Sequence, residues 1–334
     1  MELWREERHV VRKKIALFIL LGWLLLIIGD RVDELRVYQG AQIAMYTIAL
    51  SSIVLLTGYS GQVSLGNGAM MAVGGYAAAL TLNNLGSPVW FAFLMAIFFS
   101  ALFGALLGTA AARLSGPYLA GTTLALAVGL PAIANQFSFL GGEPGIFFDI
   151  GLPPQSLGEE FTQYKWFFWI ATFIALLSLF ITSNILQSRF GRTWRAIRSN
   201  SLAAELSGIH SSRMKILAFT ISSALAGLAG AVLAMTISLV APGAYTLTLS
   251  FALVTGAVLA GVSSLPGVVL GALILVAIPE IAVVLANRLG GGENVSNYLP
   301  GLIVSILLIL SVIFTPNGPG ENLRKHRHKK ASSH

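Results

Sequence analysis

QSRFGRTWRAIRSNSLAAELSGIHSSRMK, residues 187–215, separates two long apolar segments, 166–186 and 216–240. It carries six basic side chains (Arg189, Arg192, Arg195, Arg198, Arg213 and Lys215) and one acid, Glu205. Most of the remaining chain avoids charge. Hydrophobic residues make up 55% of the 334 residues and charged ones 10%, with a mean hydropathy of +0.78. A soluble domain carries about 25% charged residues, so this chain has too little polar surface to cover a globule in water. It reads as an all-α integral membrane protein, a polytopic helical bundle. A long polar insert in such a chain belongs outside the bilayer.

Outward from the insert, candidate spans fall at 15–29, 41–57, 67–82, 90–112, 117–135, 166–186, 216–240, 247–262, 267–287 and 299–315. A spanning helix needs roughly 20 residues. Lys13 and Lys14 can snorkel to lengthen the first span. The spans 67–82, 117–135 and 247–262 are rich in Gly, Ser or Thr and read either as full crossings or as broken or re-entrant helices, so the count lies between eight and ten. Ten crossings with the N-terminus inside place residues 1–14, 58–66, 113–116, 187–215, 263–266 and 316–334 in the cytoplasm. Those segments hold 17 of the 21 Lys and Arg, the positive-inside pattern. Both termini are therefore expected in the cytoplasm. Ten spans divide into two five-helix halves of opposite direction, an inverted arrangement found in transporters. The expected organisation is a cytoplasmic tail at 1–14, a membrane domain at 15–315 with its polar loop at 187–215, and a basic tail at 316–334. No A-x-A-like site follows Gly29, so the first apolar run reads as an uncleaved helix.

The net charge of +7 does not point to nucleic acid, because the basic residues sit beside apolar spans; the partner they indicate is the lipid bilayer. The chain has no cysteine, which excludes disulfides and thiol chemistry. No G-x-x-x-x-G-K-[ST] phosphate loop, HExxH, GxSxG or His cluster suited to catalysis is present, so the chain is expected not to be an enzyme. The three histidines of the C-terminal tail (His326, His328 and His334) fit a basic, headgroup-facing tail.

Small residues recur at helical spacing: Gly104 with Gly108, Gly267 with Gly271, and Gly227 with Gly230 among alanines. Such spacing lets helix backbones approach closely, for packing within the chain or for a subunit interface or gate. Residues 58–76 place Gln62, Ser64 and Asn67 among Gly58, Gly61, Gly66, Gly68, Gly74 and Gly75. Polar groups and loosened helix are tolerated at membrane depth where they line a cavity or lie buried in protein. The segment therefore reads as a broken helix on a translocation path or as a site of interhelical hydrogen bonds. Thr122, Thr123, Asn135 and Gln136 form a second polar set that helical spacing does not place on one face; Thr122 is kept as a path candidate. Glu280, after Pro279, is the only carboxylate within a span. An intramembrane acid marks a candidate functional site, or here a helix-end residue paired with Arg288 or water.

Within the insert, Ser199, Asn200 and Ser201 can cap a helix, Ala203, Ala204, Glu205 and Leu206 favour one, and Gly208 can end it in a left-handed turn. Ala203 and Ala204 offer a small surface to a partner's groove, and Glu205 a charge for pairing. The competing reading is a solvated loop whose charges only set orientation.

Four stretches in order carry a family resemblance. LTGYSGQVSLGNGAMMAVGGYAAAL at 56–80 resembles the G-x-x-G-Q-x-S-L-G segment of LivM-type permeases, the branched-chain amino acid subfamily of ABC importers. GRTWRAIRSNSLAAELSGI at 191–209 is similar to that family's G-R-x-x-x-A-I-R…A-A-E-x-x-G-I segment. LAGVSSLPGVVLGALILVAIPE at 259–280 is similar to its Gly-rich P-E segment, and APGAYTLTLSF at 241–251 matches more weakly. Asn67 stands where the family often has His, and Glu143-Pro144 where it usually has a small polar pair. The resemblance implies a permease subunit in a bacterial or archaeal inner membrane, importing branched-chain or other amino acids, or else urea, short-chain amides or another small solute. It implies that the insert is a coupling helix, with Arg195, Ala203, Ala204, Glu205 and Gly208 facing the ATPase. Gln62, Ser64, Asn67, Thr122 and Glu280 are then the residues expected along the path or gate. Implied partners are a LivH-like second permease, two ABC ATPase subunits that bind ATP and Mg²⁺, and an extracytoplasmic solute-binding protein; no cofactor is expected in this chain. The alternative of another class is an ATP-independent secondary transporter or channel.

Overall fold

A computed structural model describes residues 2–114, 116–151, 153, 154 and 161–288, with positions 299, 301–303, 305, 306, 309 and 310 beyond them. Eleven helices are assigned in it. They are α1 (Glu2–Arg31), α2 (Glu34–Ile53), α3 (Asn67–Leu85), α4 (Val89–Ala111), α5 (Pro117–Gln136), α6 (Gln163–Gln187), α7 (Arg189–Ser199), α8 (Ser201–Leu206), α9 (Ser211–Ile237), α10 (Leu247–Ala260) and α11 (Gly267–Arg288). A π-helical turn, Val54–Tyr59, continues α2, and a 3-10 turn, Pro242–Tyr245, leads into α10. Among the described residues the only strand pairing is a two-residue antiparallel pair, β1 (Ile146–Phe147) with β2 (Leu239–Val240), in which Ile146 faces Val240.

Nine of the ten predicted spans fall on helices, and the described positions of the tenth, 299–315, are helical as well. Among the described residues, seven helical stretches are long and apolar enough to cross a membrane: Glu34–Tyr59, Val89–Ala111, Pro117–Gln136, Gln163–Gln187, Ser211–Ile237, Pro242–Ala260 and Gly267–Ala286. The chain is a multi-pass membrane protein. α3, with 19 residues, reaches about 28 Å at about 1.5 Å per residue. Its Gly and Asn content keeps it below the others in apolarity, which it can tolerate because it is buried along most of its length. Residues 2–14, expected as a tail, continue α1 as helix; the tail at 316–334 lies outside the described residues.

Side chains sort by size rather than polarity, as in a lipid-facing bundle. On α4 the residues Phe98, Phe99, Leu102 and Leu106 are exposed, whereas Ala96, Ser100, Gly104 and Gly108 are buried. That small face meets α9, which also packs along α3 and against α2. The contact is made by backbone. A Cβ on Gly227 would collide with Ser100 Oγ and the Ala96 carbonyl, and one on Gly230 with the carbonyl of Met71. The glycine spacings thus serve packing within the chain: Gly104 abuts Ser223, and Gly271 abuts the carbonyl of Gly256. α2 fills the centre, against α6, α9 and α11, and α1 lies at the periphery against α6. There Lys165 Nζ pairs with Asp30 Oδ1 at 3.0 Å, joining the end of α1 to the start of α6.

Several hydroxyls inside the bundle bond to its own backbone, whereas those of Tyr76 and Thr182 are buried without a partner among the described residues. Thr47, Ser51 and Thr81 donate to carbonyls one turn back, and Ser52 to Ala49. Tyr245, almost fully buried, donates from its hydroxyl to the Gly230 carbonyl at 3.1 Å. Gly230→Val is expected to lower the thermal midpoint of the purified chain, since overpacking a tight contact costs about 1–3 kcal/mol. Gly129→Ala, whose Cβ enters open space, is the control and leaves the midpoint unchanged. Equal midpoints for both variants would remove the close contact of α9 from its structural role.

Candidate functional site

The α2 chain does not run straight into α3. After the π-helical turn, residues 60–66 are non-helical and mostly buried. Backbone groups at such depth must find partners, and here side chains of other helices supply them. Leu65 N–H donates to Thr123 Oγ1 of α5 at 3.0 Å, and Gly68 N–H to Ser250 Oγ of α10 at 3.2 Å. Ser64 Oγ accepts from Gly66 N–H. The backbone N–H of Gln62 reaches Leu56 O at 3.1 Å instead of the Gly58 carbonyl that a continuous α-helix would offer it.

Gln62, Ser64 and Asn67 are each about 4% exposed, so the break brings all three into the protein. Asn67 Nδ2 donates to Ser52 Oγ at 2.8 Å. Gln62 Nε2 donates to Ser60 Oγ at 2.7 Å and to the Lys215 carbonyl, at the start of α9, at 3.2 Å. Gln62 Oε1 is buried with no hydrogen-bond partner among the described residues. These polar groups knit helices together, and one acceptor is left over.

Thr122 lies elsewhere. It is exposed and bonds back to the Tyr118 carbonyl at 2.9 Å; its neighbour Thr123 is the buried one that holds the break. The helical step of about 100° per residue separates them, and nothing local distinguishes the two threonines. Glu280 is also exposed, two turns before the end of α11, and forms no ion pair among the described residues. The expected pairing with Arg288 is not made.

The Arg-rich insert folds as two helices at the same end of the bundle as the break. α7 is strongly two-faced: Gly191, Trp194 and Ile197 are buried, while Arg192, Arg195 and Arg198 are on the outer side. Trp194 is fully buried, and its Nε1 donates to the Met214 carbonyl at 2.9 Å, fixing α7 to α9. Arg195 Nε bonds the Gly191 carbonyl within α7, and its guanidinium lies 5.7 Å from the Tyr59 ring centroid. Arg198 Nη1 donates to the Gly58 carbonyl and, at 3.0 Å, to Ser263 Oγ in the turn before α11.

α8 has the cap that its sequence suggests. Asn200 Oδ1 accepts from Ala203 N–H at 3.0 Å, and Gly208 leaves the helix at φ +82°. Its faces differ from expectation. Ala204 is buried against its own chain, so it presents nothing to a partner, whereas Ala203 and Glu205 are exposed. The outward apolar groups are Leu202 and Leu206, 67% and 83% exposed. Their i, i+4 spacing puts them on one face, a signal present in the sequence but masked by the attention that the alanines draw. Beside them a hollow of about 400 Å³ is lined by Glu205, Ile209, His210 and Arg213 among others.

Residues 38–312 match the family described as branched-chain amino acid transport system / permease component. The high-affinity branched-chain amino acid transport system permease protein LivM of Salmonella typhimurium is 28% identical, over 93% of this chain and 76% of its own length. The LivH permease of that name from Escherichia coli is 32% identical over 49% of both chains. A probable LivM permease of Methanocaldococcus jannaschii is 25% identical over 67% of both. No solved structure matches the chain significantly. The match covers the break, the two-helix insert and the helices that hold them, and its relatives are membrane transport subunits rather than enzymes: the chain belongs to the family of branched-chain amino acid transport permease components.

Proposed function

We propose that the chain is the membrane subunit of an ABC importer that carries branched-chain or related amino acids across the inner membrane, driven by ATP hydrolysis in separate subunits. The observation that carries this reading is α8: a capped helix at the basic end of an apolar bundle, with Leu202 and Leu206 uncovered. A leucine pair left uncovered by the described residues suits a groove on a partner. Ten crossings with both termini in the cytoplasm, in two inverted halves, place α7 and α8 on the side where ATP is available. ATP and Mg²⁺ are bound by two partner ATPases, the solute is delivered by an extracytoplasmic binding protein, and a LivH-like chain completes the path. The exposed side of α5, with Tyr118, Gly121, Thr122 and Ala125, is the surface offered to that path.

A secondary transporter would need ionisable groups inside the bundle. Glu280 is exposed and lacks an ion-pair partner among the described residues, which gives that reading little support.

Leu206→Ala is expected to leave the chain inserted but to weaken retention of the copurifying ATPase by about tenfold or more, since burying a leucine is worth about 1.5–3 kcal/mol. Gly208→Pro, which cannot adopt φ +82°, and Glu205→Arg are expected to uncouple hydrolysis from uptake of radiolabelled leucine. Uptake and ATPase retention unchanged in all three variants would sink the docking role. In the intact complex, adding loaded binding protein raises the ATPase rate; a chain that purifies without ATPase and still transports would identify an ATP-independent carrier.

A further inference from the structure

Of the four arginines on α7, two make only local contacts, and a third adds one ring contact with the π turn. Arg189 lies over the neighbouring Phe190 ring, Arg192 bonds the Gln187 carbonyl, and Arg195 bonds the Gly191 carbonyl and adds a ring contact with Tyr59. Arg198 alone among them hydrogen-bonds two distant segments at once, the Gly58 carbonyl and Ser263 Oγ.

These two segments already touch. A Cβ on Gly58 would collide with the Val262 carbonyl and stand 3.3 Å from Ser263 Cα, so only glycine lets the end of the π turn sit on the turn between α10 and α11. The stem of Arg198 fills the space beside Gly61, which turns at φ +74° and whose Cβ would lie 2.9 Å from Arg198 Cγ. The Gly58 carbonyl is open to this side chain because the π turn and the break leave it without the Gln62 N–H. The arginine therefore caps a carbonyl that the helix gave up, and its second bond ties the α10–α11 turn to the same point.

We infer that Arg198 is a positioning residue that transmits movement of α7 and α8 to the break between α2 and α3 and to the α10–α11 turn. This rests on the proposed docking role of α8. α7 is directly followed by α8 and is pinned to the start of α9 at Trp194, so force applied at α8 reaches Arg198 without passing through the long helices of the bundle. The residues that receive it, 60–66, are non-helical and held largely by side-chain bonds to other helices. An arginine that only set membrane orientation would need neither partner.

The chain contains no cysteine, so a single Val63→Cys, at a position 45% exposed within the break, reports on this movement alone. Its maleimide labelling rate is measured in the purified complex with its ATPases, with and without ATP and vanadate. The expected change on trapping is about threefold or more, a modest population shift, and it disappears in Arg198→Ala although ATPase is retained. Arg198→Lys keeps the charge but not the planar fork; it serves if the alanine variant fails to assemble, and is expected to lose most of the response. Ser263→Ala removes one of the two bonds and is expected to reduce it in part. A purely structural role would lower yield but leave the nucleotide response of the assembled complex intact. An Arg198→Ala or Arg198→Lys complex whose labelling still follows nucleotide overturns the inference. So does a Val63→Cys complex that ignores nucleotide; if it nevertheless retains ATPase, and Leu206→Ala loses it, the docking role stands without the relay.

Discussion

Close approach of α9 to α3 and α4 is the constraint on which the remaining packing depends. In a bilayer no hydrophobic effect drives one helix onto another, so contact has to come from shape. Gly227 and Gly230 remove side chains where the neighbouring backbones and Ser100 need the room. Once α9 is seated, its two ends are placed. One end presents the Met214 and Lys215 carbonyls to Trp194 and Gln62. The other runs into Leu239 and Val240, which pair with Ile146 and Phe147. The same helix thus locates the Arg-rich element and the connection that closes the opposite end.

The broken passage between α2 and α3 follows a second rule, that a buried backbone group finds a partner. Thr123 and Ser250 come from helices remote in sequence to supply what the ladder does not. This makes the break a joint between α5, α10 and the α2–α3 hairpin rather than a loose loop. Its polar side chains bind helices to one another, and the residual acceptor of Gln62 is the group that this network leaves unused.

The membrane class, the helices and the capped α8 were legible in the sequence because they depend on local composition: apolar length, small residues at fixed spacing, Asn200 before an alanine pair and Gly208 after it. Partners across long separations were not. Arg195 and Arg198 look alike in sequence, yet the latter alone bonds Gly58, 140 residues away. Thr122 and Thr123 are adjacent, and only tertiary packing decides which of them turns inward. Ala204 shows the same limit, since a small residue suits a partner's groove and its own bundle equally well.

α10 is 14 residues long, about 21 Å at about 1.5 Å per residue, against a hydrocarbon core of about 30 Å. The 3-10 turn before it lengthens the apolar stretch to Pro242–Ala260, and Tyr245 of that turn is buried. The regular helix alone falls short of that thickness, so the 3-10 turn has to make up the remainder of the span. A span completed by such a turn is set in length by its fold rather than by helix alone, and it carries Ser250, whose hydroxyl caps the start of α3.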